Sequence, residues 1–180
     1  MNEITTQRIF ERYNQADADI KRFYLLFFIA LASAFAFVEY MIPKPLPMLR
    51  LGLANAVVIL FILHRHYRAA FLIALIRPIL VSFVVGNIFS PPFWLGLSGS
   101  LCASLCMIGV FALFKKAISP IGISLIGAFV HITAQLFMVY LLGILPSVQA
   151  IISIGSIMAL MALAGGLITG SIAIYLYERL

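Results

Sequence analysis

The sequence predicts an all-α, polytopic membrane protein: a bundle of six transmembrane helices with both termini on the cytoplasmic side. Three observations predict it. The apolar set AVILMFWYC makes up 64% of the 180 residues, against roughly 45–50% in soluble domains even with glycine counted. Only 10% of the chain is charged, too little to clothe the surface of a soluble fold of this size. Mean hydropathy is +1.14, and the apolar residues fall in long runs separated by short polar breaks. A water-soluble enzyme, a disordered chain and a small secreted scaffold are excluded; the solvent is lipid.

Residues 1–21 form a polar head carrying Arg8, Glu11, Arg12, Asp17 and Asp19. The head lacks the basic start and small-residue cleavage site of a signal peptide, so it is expected as a cytosolic tail or an interfacial helix. Residues 22–180 form the transmembrane domain, with room for six crossings of about 20 residues. The first span covers 22–42. Pro43, Pro45 and Pro47 then force an extended loop, because each proline removes a donor and disfavours helix before it. A second, short span runs from about 47 to 64 and ends in the polar break His64-Arg65-His66-Tyr67-Arg68. The third covers 69–87, and Ser90-Pro91-Pro92 marks a turn. The fourth occupies 93–114 and stops at Lys115-Lys116. Pro120 suits the first turn of the fifth, over 120–142. A break from Gly143 to Pro146 precedes the sixth, over 148–177.

The net charge of +6 reads as loop bias, not as nucleic-acid binding. With the N-terminus inside, Arg8, Arg12, Lys21, Arg22, Arg65, Arg68, Lys115, Lys116 and Arg179 fall on the cytoplasmic side. Lys44 and Arg50 fall outside, and Arg77 stays within the membrane. This asymmetry predicts an N-in, C-in protein of the cell membrane, in contact with lipid on most faces.

Polar groups at membrane depth are costly, so each is a functional candidate. Arg77 lies about 12 Å into the third span at 1.5 Å per residue, and Pro78 beside it frees a carbonyl on the preceding turn. It either faces a cavity and holds an anionic or carbonyl-bearing ligand, or forms a structural ion pair with Glu39. On the fifth span Ser124, Ala128, His131 and Gln135 recur at helical spacing on one face. Such a stripe either bonds to neighbouring helices or lines a cavity. Asn55 sits about 12 Å deep on the second span. Glu39 and Arg50 flank the proline loop. Asn55, Arg77, His131 and Gln135 are expected to line one outward-facing site, with the loop as its lid.

Small residues form two further patterns. Ala30 with Ala34, and Ala32 with Ala36, make interleaved small-xxx-small pairs on the first span. Gly155, Ala159, Ala162, Gly166 and Gly170 make a stripe on the sixth. Either pattern is internal packing or a docking face. Cys102 and Cys106, one turn apart, read as packing thiols.

No GxxxxGK[ST] loop, GxSxG, HExxH or metal-ligand spacing is present. Glu39 is the only carboxylate between Asp19 and Glu178, so no acidic cluster can hold magnesium on a diphosphate. The chain is therefore expected to be neither an enzyme nor a P-loop ATPase. No cofactor, metal site or catalytic residue is expected.

Two blocks resemble a known family. One is Glu39-Tyr40-Met41-Ile42-Pro43-Lys44-Pro45-Leu46-Pro47, followed by Arg50-Leu51-Gly52-Leu53-Ala54-Asn55. The other runs from Ile118 to Ala128, with His131 and Gln135 after it. Together they resemble the membrane family named both Gx transporter and heptaprenyl diphosphate synthase component I. One departure stands at the fifth span, where Ile132 follows His131 in place of the asparagine usual in that family. The family is similar to the substrate-binding S components of energy-coupling factor transporters. That resemblance implies a six-helix S-component-like bundle capturing a small solute from outside. It further implies a transmembrane coupling subunit and cytosolic ATPases as partners, docked through an alanine-rich face such as Ala30, Ala34 and Ala36. The synthase name implies the alternative, a membrane accessory subunit in prenyl-diphosphate or quinone metabolism.

Overall fold

A computed structural model of the chain describes residues 7–42, 52–144 and 147–179. Their regular structure is entirely helical: α1 (Gln7–Gln15), α2 (Ala18–Met41), α3 (Leu53–Leu63), α4 (Tyr67–Val85), α5 (Pro91–Phe114), α6 (Pro120–Leu141) and α7 (Val148–Arg179). A single 3-10 turn at Lys115–Ala117 follows α5. The proline loop and Arg50, expected to flank the site, lie outside the described residues.

Among the described residues five helices are long and apolar enough to cross a membrane: α2, α4, α5, α6 and the Ile152–Glu178 part of α7. Their outer faces carry large side chains with no protein partner, such as Phe23 at 70% exposure, Phe83 at 73% and Leu113 at 79%. Water would not tolerate so much exposed apolar surface, whereas hydrocarbon does. The chain is a multi-pass membrane protein.

The second expected span differs from its prediction. Its described helix, α3, has 11 residues, about 16 Å of rise, and every residue from Ala56 to Ile62 is buried. A helix apolar all round is one enclosed by others. Lipid and protein select the same side chains, so hydropathy cannot separate a central helix from a lipid-facing one.

Helix ends follow their sequence signals. Ser119 caps α6 by accepting the Gly122 N–H at 3.1 Å, with Pro120 in the first turn. Gly86 takes φ +76 and closes α4, its N–H donating to the Phe83 carbonyl while Asn87 reaches Ser82. The polar head is not a bare tail. Phe10 of α1 is buried, packs edge-on to Phe61 at 5.3 Å and stacks on His64 at 3.6 Å between centroids.

The small residues of α7 are internal packing. A Cβ on Gly155 would meet Leu136 at 2.9 Å, and one on Gly170 would meet the Ile121 backbone at 2.7 Å. Close approach of α7 to α6 thus depends on these glycines. Cys102 is exposed and Cys106 half-buried, both as free thiols, so Cys102 does not serve as packing.

Candidate polar cavity

The site begins with a defect in α4. Pro78 has no N–H, so the carbonyl of Ala74 lacks its helical donor. Ser100 of α5 supplies one, its hydroxyl donating to that carbonyl at 2.7 Å. The same Oγ accepts from Arg77 Nη2 at 2.8 Å. Arg77 Nη1 donates to Asn55 Oδ1 on α3 at 2.9 Å. Arg77 is only 3% exposed, so its guanidinium is fixed by two directed bonds across three helices. Such charge-assisted bonds are the stronger kind.

Glu39 is buried near the end of α2, and its Oε1 accepts the backbone N–H of Leu53. That N–H opens α3 and has no partner within its own helix. A carboxylate there is also favoured by the helix dipole. Glu39 therefore anchors α2 to the start of α3.

The expected stripe on α6 faces inward: Ser124, His131 and Gln135 are all buried. Gln135 is 1% exposed, and its Oε1 has no hydrogen-bond partner among the described residues. An orphaned buried acceptor costs about 1–3 kcal/mol. Gly99 of α5 makes room for His131, since a Cβ at Gly99 would lie 2.8 Å from the imidazole.

These groups line one cavity of about 50 Å³. Glu39, Asn55, Arg77, His131 and Gln135 all reach it, joined by Ser124, Ile132 and Thr169. Ala36 lines it too, whereas Ala30 and Ala34 are exposed on the outer face of α2. The volume admits a few waters, at ~10–15 Å³ of probe space each.

Sequence reasoning missed Ser100 and Thr169. Ser100 stood in Ser98-Gly99-Ser100, a small polar interruption halfway along an apolar span. Thr169 was hidden within the glycine stripe of α7. Its Oγ1 would stand 3.0 Å from a Cβ on Gly52, which itself takes φ +84.

Long apolar helices enclosing one polar cavity define the class: a multi-pass membrane protein with an internal polar cavity. Residues 28–176 match the family described as heptaprenyl diphosphate synthase component I, and the chain belongs to that family. The match runs from α2 into α7 and leaves α1 outside it. No curated protein and no solved structure matches the chain.

Proposed function

We propose that this protein is the solute-capturing subunit of an energy-coupling-factor type transporter. The bundle crosses the cell membrane six times, with α3 as the core of the second crossing and both termini inside. The cavity then belongs to the outer half. It is lined by the end of α2, the first half of α3 and inward-facing residues of α4, α5, α6 and α7, and neither His64 nor Lys115 reaches it. The chain performs no bond chemistry; it binds a small solute and hands it inward. A transmembrane coupling subunit and cytosolic ATPases supply the drive, with Ala30 and Ala34 on the docking face.

The observation that carries this reading is the meeting of Glu39, Asn55, Arg77, His131 and Gln135 in one enclosed space. Nothing in a purely structural bundle calls for so many polar groups at that depth. Arg77 favours an anionic or carbonyl-rich solute, and the open acceptor of Gln135 favours one that also donates a hydrogen bond. Ile132, where the family pattern has asparagine, makes one wall apolar. Usual ligand pockets span ~300–1,000 Å³, so a solute of more than a few atoms enters only as the helices part.

The family description favours a second reading, an accessory subunit in prenyl-diphosphate metabolism. The cavity of about 50 Å³ would have to open for a prenyl chain as for a solute, and its polar lining is what supports the solute. Mass spectrometry of the purified protein tests the choice. A co-purifying small polar molecule, lost from Arg77→Ala, upholds capture; a prenyl diphosphate in its place favours the second reading.

A further inference from the structure

A second cavity lies at the opposite end of the molecule, where α1 and the start of α2 meet the loop from α3 to α4. It measures about 460 Å³ and is lined by Tyr13, Lys21, Arg65, His66, Tyr67 and Arg68. That is within the range of ligand pockets, ~300–1,000 Å³, and the space is an open groove that a surface ligand can enter without the helices moving.

Its charge is one-sided. Among the described residues the one ion pair joins Arg22 to Asp19, so Lys21, Arg65 and Arg68 have no described carboxylate within pairing distance. His66 lines the same space with its ring, while its Nε2 is shielded by the surrounding protein. The Tyr13 ring stands edge-on to His66 at 4.7 Å, and burial pushes its phenol up, so the hydroxyl stays a donor.

The loop is also held in shape. Its backbone bonds run from Arg65 N–H to the Ile62 carbonyl at 2.9 Å and from His66 N–H to Phe61 at 2.8 Å. Basic residues often flank a membrane merely to set orientation. Lys115 does so as an exposed side chain lining neither cavity. Lys21, Arg65 and Arg68, the two arginines as exposed as Lys115, differ in sharing one concave space with the phenols of Tyr13 and Tyr67.

We propose that this cavity is a binding site for a phosphate-bearing anion, held by Lys21, Arg65 and Arg68 with the Tyr13 hydroxyl donating a hydrogen bond. Three cations and a neutral donor around one space match a phosphate's charge and its several acceptor oxygens. The phosphate belongs to a lipid headgroup of the adjoining leaflet or to a free anion of the aqueous side. The site does not depend on the transport reading.

The test uses the full chain in nanodiscs of phosphatidylcholine, with phosphatidylglycerol added to the discs or inorganic pyrophosphate to the buffer. Thermal midpoint and lipid retained in native mass spectrometry are read for wild type, Arg65→Gln/Arg68→Gln, Lys21→Gln and the control Lys115→Gln. Wild type and the control are expected to be stabilised by at least one additive. Retention or apparent affinity falls roughly five-fold per pocket charge removed, near 25-fold in the double variant. A response to phosphatidylglycerol alone assigns a headgroup; a response to pyrophosphate assigns a free anion; both uphold the site. Should the double variant fail to fold, a five-fold loss in Lys21→Gln upholds it, and no loss overturns it. Equal responses in wild type and the pocket variants, or none in wild type, overturn it.

Discussion

Ser100 donates to the Ala74 carbonyl that Pro78, by lacking an N–H, leaves open. The proline thus does more than bend α4. It recruits a hydroxyl from α5, and that hydroxyl is where Arg77 finds one of its acceptors. Arg77 and Pro78, adjacent in sequence, act as one unit: the first supplies charge at depth, the second the polar neighbour that holds it.

Ser100→Ala is therefore expected to cost about 1–3 kcal/mol, since it strips a buried carbonyl and a buried guanidinium of one partner each. Pro78→Ala returns an N–H to the Ala74 carbonyl. The cost of Ser100→Ala should then shrink in the Pro78→Ala background, and a thermal double-mutant cycle measures the difference. Strict additivity would dissociate the two residues.

Much of this was legible in the sequence, for physical reasons. Hydrophobic run length marked the long helices, and Pro120 marked the start of α6, whereas Pro91 and Pro92, read as a turn, form the first turn of α5. The α6 stripe and Arg77 stood out because polar groups in lipid are rare. Two features were not legible. Enclosure of α3 by its neighbours looks like lipid exposure in composition alone. The face of each alanine on α2 was ambiguous, and Ala36 turned toward the cavity while Ala30 and Ala34 turned away. The role of Ser100 depends on register between α4 and α5, which no local pattern encodes.

Gly99 gives a second expectation. Gly99→Ala places a methyl against the His131 ring, so the imidazole must move into the cavity. Overpacking of this kind costs about 1–3 kcal/mol, and solute affinity should fall with it. Gly109 on the same helix has nothing within 4 Å of the place a Cβ would take, so Gly109→Ala should instead stabilise by about 0.5–1 kcal/mol. Thermal unfolding and solute titration of both variants check the contrast.

A third expectation concerns pH. Burial holds His64 below its ordinary value of 6.5, opposed by its bond to the Leu60 carbonyl. His66 is lowered by burial and by the neighbouring charges of His64 and Lys21. A base held below its unfolded value takes up protons more readily when unfolded, so this stability is full above pH 6.5 and declines as pH falls through it. The thermal midpoint should drop between pH 7.5 and pH 5 by way of the Phe10–His64 stack. In His64→Gln/His66→Gln the drop should be smaller; an unchanged slope would clear both histidines.

The two faces of α2 separate docking from binding. Ala34→Phe adds bulk outside and should abolish uptake while sparing solute affinity. Ala36→Phe intrudes on the cavity and should weaken affinity itself. Uptake in whole cells beside titration of purified protein checks both; normal uptake by Ala34→Phe would remove that face from coupling.

The most direct test of solute capture compares Arg77→Ala with Gln135→Met, reading affinity for the co-purified solute beside thermal stability. Arg77→Ala should weaken binding roughly ten- to a hundred-fold, as loss of a charge-assisted contact of ~1.5–3 kcal/mol requires. It should also lower stability, because Asn55 and Ser100 lose a partner. Gln135→Met keeps the volume and removes an acceptor that no described group satisfies, so affinity should fall while stability holds or rises. Normal affinity in both variants, with stability lost in both, would make these residues structural and contradict solute capture.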